Sequence, residues 1–299
     1  MDLKRDFFIG DRWLYYKIYC GYKTSDKILV EVVKLVSDEM LEKEIIEKWF
    51  FIRYGDPENH LRVRFLLSKP DYIYTLIKLM NENLQRFISS GLVWNVMIDT
   101  YKREIERYGI NTIHLSESLF FNDSVLSLNI LSMIEGDSGE IIRWGIGLRS
   151  IDEFINDFNY SLEEKFKLLS YMRDSFVKEF NVEHNLRKQL SDKYRKNKLF
   201  IENILNGENE NNNELSLLFD LIKNRSFMNK PIIDGILNIK NDNKLEKPLN
   251  ELMWSYLHML NNRLFKSKQR IHELVVYDFL YQHYRSKLAR MGVKVNQLL

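Results

Sequence analysis

The amino-acid sequence predicts an α+β fold, in which a mixed sheet-and-helix N-terminal part packs with a largely helical C-terminal part. Short runs of aromatic and β-branched residues mark the first third of the chain, whereas later apolar residues recur with a period near 3.6. Glycine (12) and proline (4) are scarce among the 299 residues, which disfavours a turn-rich all-β architecture. We expect one domain over residues 1–299, divided into an α/β part at about 1–115 and a helical part at about 116–299.

The N-terminal part is predicted to contain four strands: Trp13–Cys20, Lys48–Tyr54, His60–Leu67 and Leu92–Asp99. The turn signal Gly55-Asp56-Pro57 lies between the second and third strands, so these two are expected to form a hairpin. Helices are predicted over the charged segment Asp38–Glu47 and from Pro70 through Ser89.

The C-terminal part reads as a series of amphipathic helices: Ser116–Met133, Gly139–Phe158, Leu162–Glu179, Glu183–Leu205, Leu215–Asn224, Lys247–Leu264 and Arg270–Met291. The Asn-rich stretch Asn206–Glu214 is predicted to be an exposed loop and the first place to expect local disorder. A second polar link is predicted at Asn238–Lys247.

Charge and composition exclude several classes of protein. The 44 Lys and Arg residues nearly balance 42 Asp and Glu residues, which argues against direct nucleic-acid binding. A single cysteine, Cys20, fits a reducing compartment. Met1–Arg12 does not resemble a signal peptide, and no apolar run reaches the roughly 18 residues of a transmembrane segment. We therefore expect a cytoplasmic protein with no transmembrane segment.

The string His60-Leu61-Arg62-Val63-Arg64 carries the most informative pattern. On a strand, His60, Arg62 and Arg64 share one face and the apolar residues share the other. Such a basic face is stable when it is solvated, paired with carboxylates, or occupied by an anion that the Arg forks can bind.

A second charged cluster occupies Asp99–Gly109. If this segment is helical, Arg103 and Arg107 lie on one face, and Glu104 pairs with Arg107 three residues later. The alternative is an ordinary salt-bridged surface segment, which is the commoner case for such a charge run.

A third polar cluster lies on an otherwise apolar predicted helix, where Ser255, His258 and Asn262 fall on one side. A histidine there is more often a satisfied core residue than a catalyst. The chain has no GxGxxG, P-loop, HExxH, GxSxG or CxxC motif, and six scattered histidines with one cysteine give no support for a zinc site.

Taken in order, several segments resemble one known family. The specific string is RY-DP-x-x-HLR-x-R, and the supporting segments are Trp13–Gly21, Tyr101–Gly109, Glu117–Phe120 with Asp123-Ser124, His258-Met259 with Asn262-Arg263, and His272-Glu273 with Tyr277. The chain resembles, from about Asp6 to Arg290, the C-terminal glutamate-elimination domain of class I lantibiotic dehydratases. The same domain occurs in stand-alone thiopeptide-type bacteriocin biosynthesis proteins.

This resemblance implies which residues act. By position in the motifs, Arg64, Arg103 and His258 are expected to be catalytic, with the arginines binding glutamate and His258 transferring a proton. The residues expected to bind the substrate are Arg62, His60, Arg107 and Arg263. The implied chemistry requires neither a metal nor an organic cofactor, and we predict none.

The resemblance also implies a function: a lyase that removes glutamate from glutamylated Ser or Thr of a ribosomal precursor peptide, leaving dehydroalanine or dehydrobutyrine. Because 299 residues leave no room for a glutamylation domain, we expect the stand-alone elimination component of a split dehydratase. Its expected partners are the precursor peptide and a separate tRNA-dependent glutamylating protein, and a homodimer is left open. The alternatives are a [4+2] cyclase that makes the pyridine of thiopeptides and a non-catalytic peptide-binding scaffold.

Overall fold

The computed structural model describes residues 3–134, 136–181, 184–207, 213–295 and 298. Its strands are β1 (Asp6–Phe7), β2 (Trp13–Cys20), β3 (Ile46–Tyr54), β4 (His60–Leu67), β5 (Val93–Asp99) and β6 (Tyr101–Lys102). Its α-helices are α1 (Tyr22–Ile28), α2 (Leu35–Glu42), α3 (Ile73–Ser89), α4 (Ile105–Tyr108), α5 (Ile113–Met133), α6 (Gly136–Asp157), α7 (Leu162–Glu179), α8 (His184–Asn206), α9 (Asn213–Asn241), α10 (Leu249–Leu264) and α11 (Gln269–Arg290). A π-helix (Leu29–Lys34) joins α1 to α2, and a 3₁₀ turn (Pro70–Tyr72) precedes α3.

The described residues divide into two compact units. The first unit comprises residues 3–133, 234–252 and 262–267, and the second comprises the rest, from residue 134 onward. All of the strands lie in the first unit, and the described part of the second unit is helical. The predicted α+β class is therefore confirmed.

The main sheet is antiparallel, with strand order β3-β4-β2-β5. The predicted hairpin between β3 and β4 is confirmed, because Tyr54 pairs with His60 at its end. Alternation along β4 places Leu61, Val63 and Phe65 in a core that the helices from residue 22 to 89 cover. His60, Arg62 and Arg64 consequently share the opposite face, which we call the basic face.

The helix predicted over Asp38–Glu47 was placed too far along the chain. The structure has a helical segment from residue 22 to 42, and the chain turns at Glu44, whose φ is 54°. Ile45 and Ile46 are buried, at 9% and 2% exposure. Because these two side chains are buried, the charged residues that follow them, Glu47 and Lys48, belong to β3 and not to a helix.

The edge of the sheet at β3 is closed by side chains. The Asn262 carboxamide accepts from the Arg53 amide N–H and donates to the Arg53 carbonyl, both at 2.8 Å. Ser124 Oγ accepts from the Phe51 amide at 3.2 Å. These bonds satisfy backbone groups that an edge strand leaves unpaired.

The helices of the second unit pack through aromatic residues. Helix α7 begins with a capping box between Ser161 and Glu164. The largest fully buried apolar side chains of this unit are Phe154, Phe166, Phe176, Tyr256, Tyr277 and Phe279.

Two other predictions in the helical part need correction. The predicted helix Leu215–Asn224 continues to Asn241, past Pro231, and the predicted polar link at Asn238–Lys247 therefore begins only at Asp242. Burial of Ile233 and Ile236 explains the longer helix. Most of the predicted loop Asn206–Glu214 lies outside the described residues. Within the described ranges, no helix is both long and apolar enough to span a bilayer.

The Asn262 contact can be tested by Asn262→Ala. Loss of both backbone bonds at the β3 edge leaves buried groups unsatisfied, so the free energy of unfolding should fall by about 1–3 kcal/mol in urea denaturation. Asn95→Ala, at an exposed position of β5, is the matched control and should change it by less than about 0.5 kcal/mol. Equal losses in the two variants would contradict the edge-closing role.

The buried imidazole of His283 predicts a pH dependence of stability. Burial lowers its pKa to about 4. Because the unfolded imidazole takes up its proton near pH 6.5, the unfolded state binds more protons as the pH falls below that value, and stability declines. Between pH 7.5 and 5, the wild type should lose about 2 kcal/mol more than His283→Gln. Urea midpoints measured at both pH values check this, and parallel pH profiles would refute it.

Candidate functional site

The side chain of Arg64 lies among aromatic rings on the basic face. Tyr15 and Phe50 are its cross-strand neighbours on β2 and β3. The guanidinium carbon lies 4.4 Å from the ring centre of Tyr15, 5.2 Å from Phe50 and 5.0 Å from Tyr101. These rings stabilise the cation through their π faces and restrict its orientation.

Arg64 is buried without a compensating carboxylate. Its residue is 7% exposed, its Nε has no hydrogen-bond partner, and no carboxylate of the described residues forms an ion pair with it. A buried charge of this kind is costly unless a counter-ion neutralises it. An incoming carboxylate would therefore be bound more strongly here than on the surface.

Arg62 and His60 form a linked pair on the same face. Arg62 donates from Nε to His60 Nε2 at 3.0 Å, and His60 Nδ1–H donates to the Glu58 carbonyl at 2.8 Å. Burial lowers the pKa of His60, with further contributions from Arg62 and Lys17, so the imidazole is neutral and can accept. Both nitrogens of His60 are thus engaged, and it orients Arg62. The predicted substrate-binding role of His60 stays a prediction.

Arg103 has a very different environment from Arg64. It donates from Nε and Nη2 to the two carboxylate oxygens of Glu117, at 2.7 and 2.8 Å, and from Nη1 to the Lys4 carbonyl at 3.0 Å. Nη2 also lies 3.1 Å from His114 Nδ1. Arg103 and Glu117 are both buried. Arg103 and Glu117 therefore form a bidentate buried ion pair, in which each charge has an opposite charge as its partner.

The conditional prediction that Arg103 and Arg107 share a helix face is wrong. Strand β6 runs to Lys102, and helix α4 begins only at Ile105, after Arg103. The pairing of Glu104 with Arg107 is confirmed at 3.1 Å, on the exposed surface. The partnership with Glu117 holds Arg103 in place, and this tertiary contact is absent from the local sequence.

Arg263 is fully buried in the first unit. Its Nε donates to Ser124 Oγ at 3.1 Å, whereas Nη1 and Nη2 have no partner among the described residues. Burial lowers its pKa to about 10, and the charge of Arg64 adds to this, against the opposing effects of Asp123 and Tyr108. Arg263 and Arg64 are therefore electrostatic neighbours. Direct binding of substrate by Arg263 stays a prediction.

His258 lies in the second unit, on α10. Its Nδ1 is 2.9 Å from Glu273 Oε1, and because a carboxylate only accepts, Nδ1 carries the proton. Nε2 is then an acceptor, and it makes no hydrogen bond to the described residues. The side chain is 23% exposed, whereas Glu273 is fully buried. A histidine held by a carboxylate in this way is chemically able to act as a general base, and the catalytic role of His258 stays a prediction.

The three residues of the predicted polar stripe, Ser255, His258 and Asn262, all lie on α10, but His258 and Asn262 have different partners. Asn262 bonds the edge of β3 instead of joining His258. Among the described residues, no group of three or more His, Cys, Asp or Glu side chains is arranged to hold a metal ion.

Most of this chain matches a known protein family. Residues 13–284 match the family model described as "Lantibiotic biosynthesis dehydratase C-term". The chain belongs to this family. Within this dehydratase family, the subtilin biosynthesis protein SpaB of Bacillus subtilis is 24% identical over 286 residues, which is 94% of this chain and 26% of SpaB. The nisin biosynthesis protein NisB of Lactococcus lactis subsp. lactis is 29% identical over 131 residues, covering 44% of this chain and 13% of NisB.

The chain thus spans about a quarter or less of these two curated relatives. Solved structures share the dehydratase C-terminal fold. The tRNA-dependent lantibiotic dehydratase MibB from Microbispora sp. 107891 matches with a TM-score of 0.73 at 19% identity, over 95% of this chain and 29% of MibB. The pyridine synthase TbtD from thiomuracin biosynthesis matches with a TM-score of 0.65 at 12% identity, over 92% of this chain and all of TbtD.

Several residues of the site escape sequence reasoning. The ring neighbours of Arg64 follow from strand register, which pairs Tyr15 and Phe50 with it across the sheet. Glu117 and Glu273 lie within segments that carry the family resemblance, but neither spacing nor residue type reveals their partners. Each is more than ten positions away from the side chain that it orients.

The Arg103–Glu117 pair predicts a specific pattern of stability. Arg103→Met leaves the Glu117 carboxylate buried without its arginine partner, so the free energy of unfolding should fall by about 3–5 kcal/mol. The double variant Arg103→Met/Glu117→Met removes both charges and should lose less than the single variant. Arg107→Met, which breaks only the exposed pair with Glu104, is the control and should cost less than about 1 kcal/mol. If the double variant is the least stable of the three, the buried pair is not the cause.

Proposed function

We propose that this chain eliminates glutamate from glutamylated Ser or Thr of a ribosomal precursor peptide. The observation that carries the proposal is Arg64, a buried cation among aromatic rings with no carboxylate partner among the described residues. Glutamate supplies the missing carboxylate. Membership of the dehydratase family supports the same conclusion.

The reaction needs a base and a stabilised leaving group. His258 Nε2 removes the α-proton of the esterified residue, and Glu273 stabilises the imidazolium that forms. The electron pair becomes the new Cα=Cβ bond while the Cβ–O bond breaks and glutamate departs as a carboxylate. Arg64, assisted by Arg62, binds glutamate and stabilises the negative charge as it develops.

Arg103 contributes in a different way from Arg64. Its Nε, Nη1 and Nη2 all donate to protein groups, so the geometry favours a positioning role over direct contact with glutamate. Nη2 reaches His114, and Glu117 also accepts from the Tyr101 hydroxyl at 2.9 Å. Arg103 therefore holds the ring of Tyr101 beside Arg64 through Glu117.

The partners in this proposal are a precursor peptide and a protein that forms the glutamyl ester. MibB is described as tRNA-dependent. By analogy, the ester acted on here is made with glutamyl-tRNA by a separate glutamylating protein. This chain itself would then need no direct contact with nucleic acid, in line with its balanced charge.

A second candidate function is the [4+2] cyclisation of a dehydrated peptide. The fold matches TbtD over the full length of that pyridine synthase. Family membership favours elimination, because the matching family model is described as the C-terminal region of a lantibiotic biosynthesis dehydratase. A peptide with two dehydroalanines separates the two functions, since only a cyclase would convert it to a pyridine-containing product.

The central test uses a synthetic peptide with one O-glutamyl serine, followed by mass spectrometry. Elimination yields free glutamate and a product one water lighter than the serine peptide, whereas hydrolysis returns the serine peptide itself. Arg64→Met should lower the elimination rate by about 10²–10³-fold, and Arg64→Lys should restore only part of it. Arg86→Met, at an exposed arginine paired with Glu31, serves as the control. Full activity in Arg64→Met would refute the assignment.

The base is tested separately at His258 and Glu273. His258→Gln should lower kcat by about 10²–10⁴-fold, and Glu273→Gln should also slow the reaction and change the pH profile of kcat. His283→Gln, at a buried histidine elsewhere in the second unit, is the control. If peptide deuterated at the α-carbon reacts as fast as the protiated peptide in every variant, proton abstraction is not the step that His258 serves.

A further inference from the structure

Tyr15 is the residue of β2 that lies directly across from Arg64. The same position of β2 pairs with Asp99 on β5, so Arg64, Tyr15 and Asp99 form one row across the basic face. The guanidinium carbon of Arg64 lies 4.4 Å from the centre of the Tyr15 ring. An anion that binds to Arg64 therefore lies close to Tyr15.

The hydroxyl of Tyr15 is available to such an anion. Of the three rings that contact Arg64, that of Phe50 has no polar atom, and the Tyr101 hydroxyl already donates to Glu117 at 2.9 Å. The Tyr15 hydroxyl bonds to none of the described residues. Although Tyr15 as a whole is only 4% exposed, this oxygen is not sealed from solvent. A ligand can thus reach a hydroxyl that the protein itself leaves uncommitted.

The charges around the Tyr15 hydroxyl favour an anionic acceptor. Three cations and one anion act on it electrostatically: Arg64, Arg62, Lys17 and Asp99. Asp99 is already paired with Lys17 at 2.5 Å, so the two arginines remain as the net positive charge. Burial raises the pKa of Tyr15, and the cations offset this only in part, so the hydroxyl keeps its proton and can donate.

The next tyrosine of the same strand has a different environment. Tyr16 pairs with Val63 and lies in the core on the opposite face of the sheet. Burial raises the pKa of Tyr16 well above its usual value, and no charged group of the described residues contributes to this shift. Tyr16 is therefore the matched control for Tyr15, since both are buried tyrosines of β2 and only one faces the arginines.

We propose that the Tyr15 hydroxyl donates a hydrogen bond to the carboxylate of glutamate that forms beside Arg64 as the ester bond breaks. This inference rests on the proposed function and adds a catalytic residue to it. A bidentate arginine occupies one lone-pair site on each carboxylate oxygen, and a further site on each oxygen stays available to another donor. Tyr15 would donate to one of these sites.

Tyr15 keeps its proton throughout the reaction. The base removes the α-proton, the C–H electron pair becomes the Cα=Cβ bond, and the Cβ–O pair goes to the ester oxygen, which becomes a carboxylate oxygen. Because a carboxylic acid has an ordinary pKa of about 4 and a tyrosine one of about 10, the proton stays on the phenol. Negative charge on the oxygen grows towards the transition state, so the hydrogen bond raises kcat more than it lowers KM.

The kinetic test is Tyr15→Phe, which keeps the ring beside Arg64 and removes only the hydroxyl. With the O-glutamyl serine peptide, kcat should fall about 10–10²-fold, and KM should change by less than about twofold. Tyr16→Phe should change neither constant. A wild-type kcat in Tyr15→Phe would overturn the proposal, and so would a raised KM with an unchanged kcat.

The stability of Tyr15→Phe is a second readout. Because the hydroxyl bonds to none of the described residues, its removal should not lower the midpoint of urea denaturation. A lower midpoint, or a variant that fails to fold, would show that the hydroxyl has a structural partner and would overturn the proposal.

Binding without turnover identifies the carboxyl group that Tyr15 contacts. An ester made with glutamyl-tRNA is linked through the α-carboxyl of glutamate, so glutamine retains the departing carboxylate, whereas the α-amide of glutamate lacks it. Titration of the protein followed by NMR should show that Tyr15→Phe weakens the binding of glutamate and glutamine about tenfold each. Binding of the α-amide should not change, and an equal effect on all three compounds would overturn the proposal.

The two sets of results separate this inference from the proposed function. Elimination by the wild type that Tyr15→Phe leaves unchanged overturns the role of Tyr15 alone. The expected binding pattern without elimination by the wild type supports the hydrogen bond and overturns the proposed function alone. A wild type that neither eliminates nor binds glutamate overturns both.

Discussion

The register of β4 between β2 and β3 is the constraint on which the rest of the first unit depends. Because successive side chains on a strand point to opposite faces, the same pairing buries Val63 and Phe65 in the core and places Arg62 and Arg64 on the opposite face. A slip by one residue would bury the arginines under the helices. The hydrophobic core thereby fixes the position of the charges.

The arginines of this unit differ in what neutralises them. Arg103 is matched by Glu117 within the protein, and its donors are occupied. Arg64 and Arg263 are also buried, at 7% and 0% exposure, yet each has at least one guanidinium N–H group with no partner among the described residues. Aromatic rings contact both cations, and the carboxylate of Asp123 also favours the charge of Arg263. Such an arrangement costs stability in the folded chain and is understandable if it prepares a site for an anionic substrate.

Much of the fold could be predicted from the sequence, because the spacing of the apolar residues indicates which side of each strand or helix is buried. The β3–β4 hairpin and the alternation along β4 follow directly from local pattern and turn residues. The pattern fails where distant contacts override local preference. The residues near Glu44 look helical, but the burial of Ile45 and Ile46 makes them a turn and a strand. The long helix α9 passes through Pro231, at a point where local rules expect an ending.

The sequence by itself determined the fold class, the basic face of β4 and, through motif order, the identity of Arg64 and His258 as residues to examine. Only the tertiary structure decided which groups surround them. Glu117 forms an ion pair with Arg103. The hydrogen bond to Glu273 determines that Nδ1 of His258 carries the proton. The physical reason is that a strand or helix period specifies which face a side chain occupies. The partner on that face comes from another part of the chain, and folding alone brings the two together.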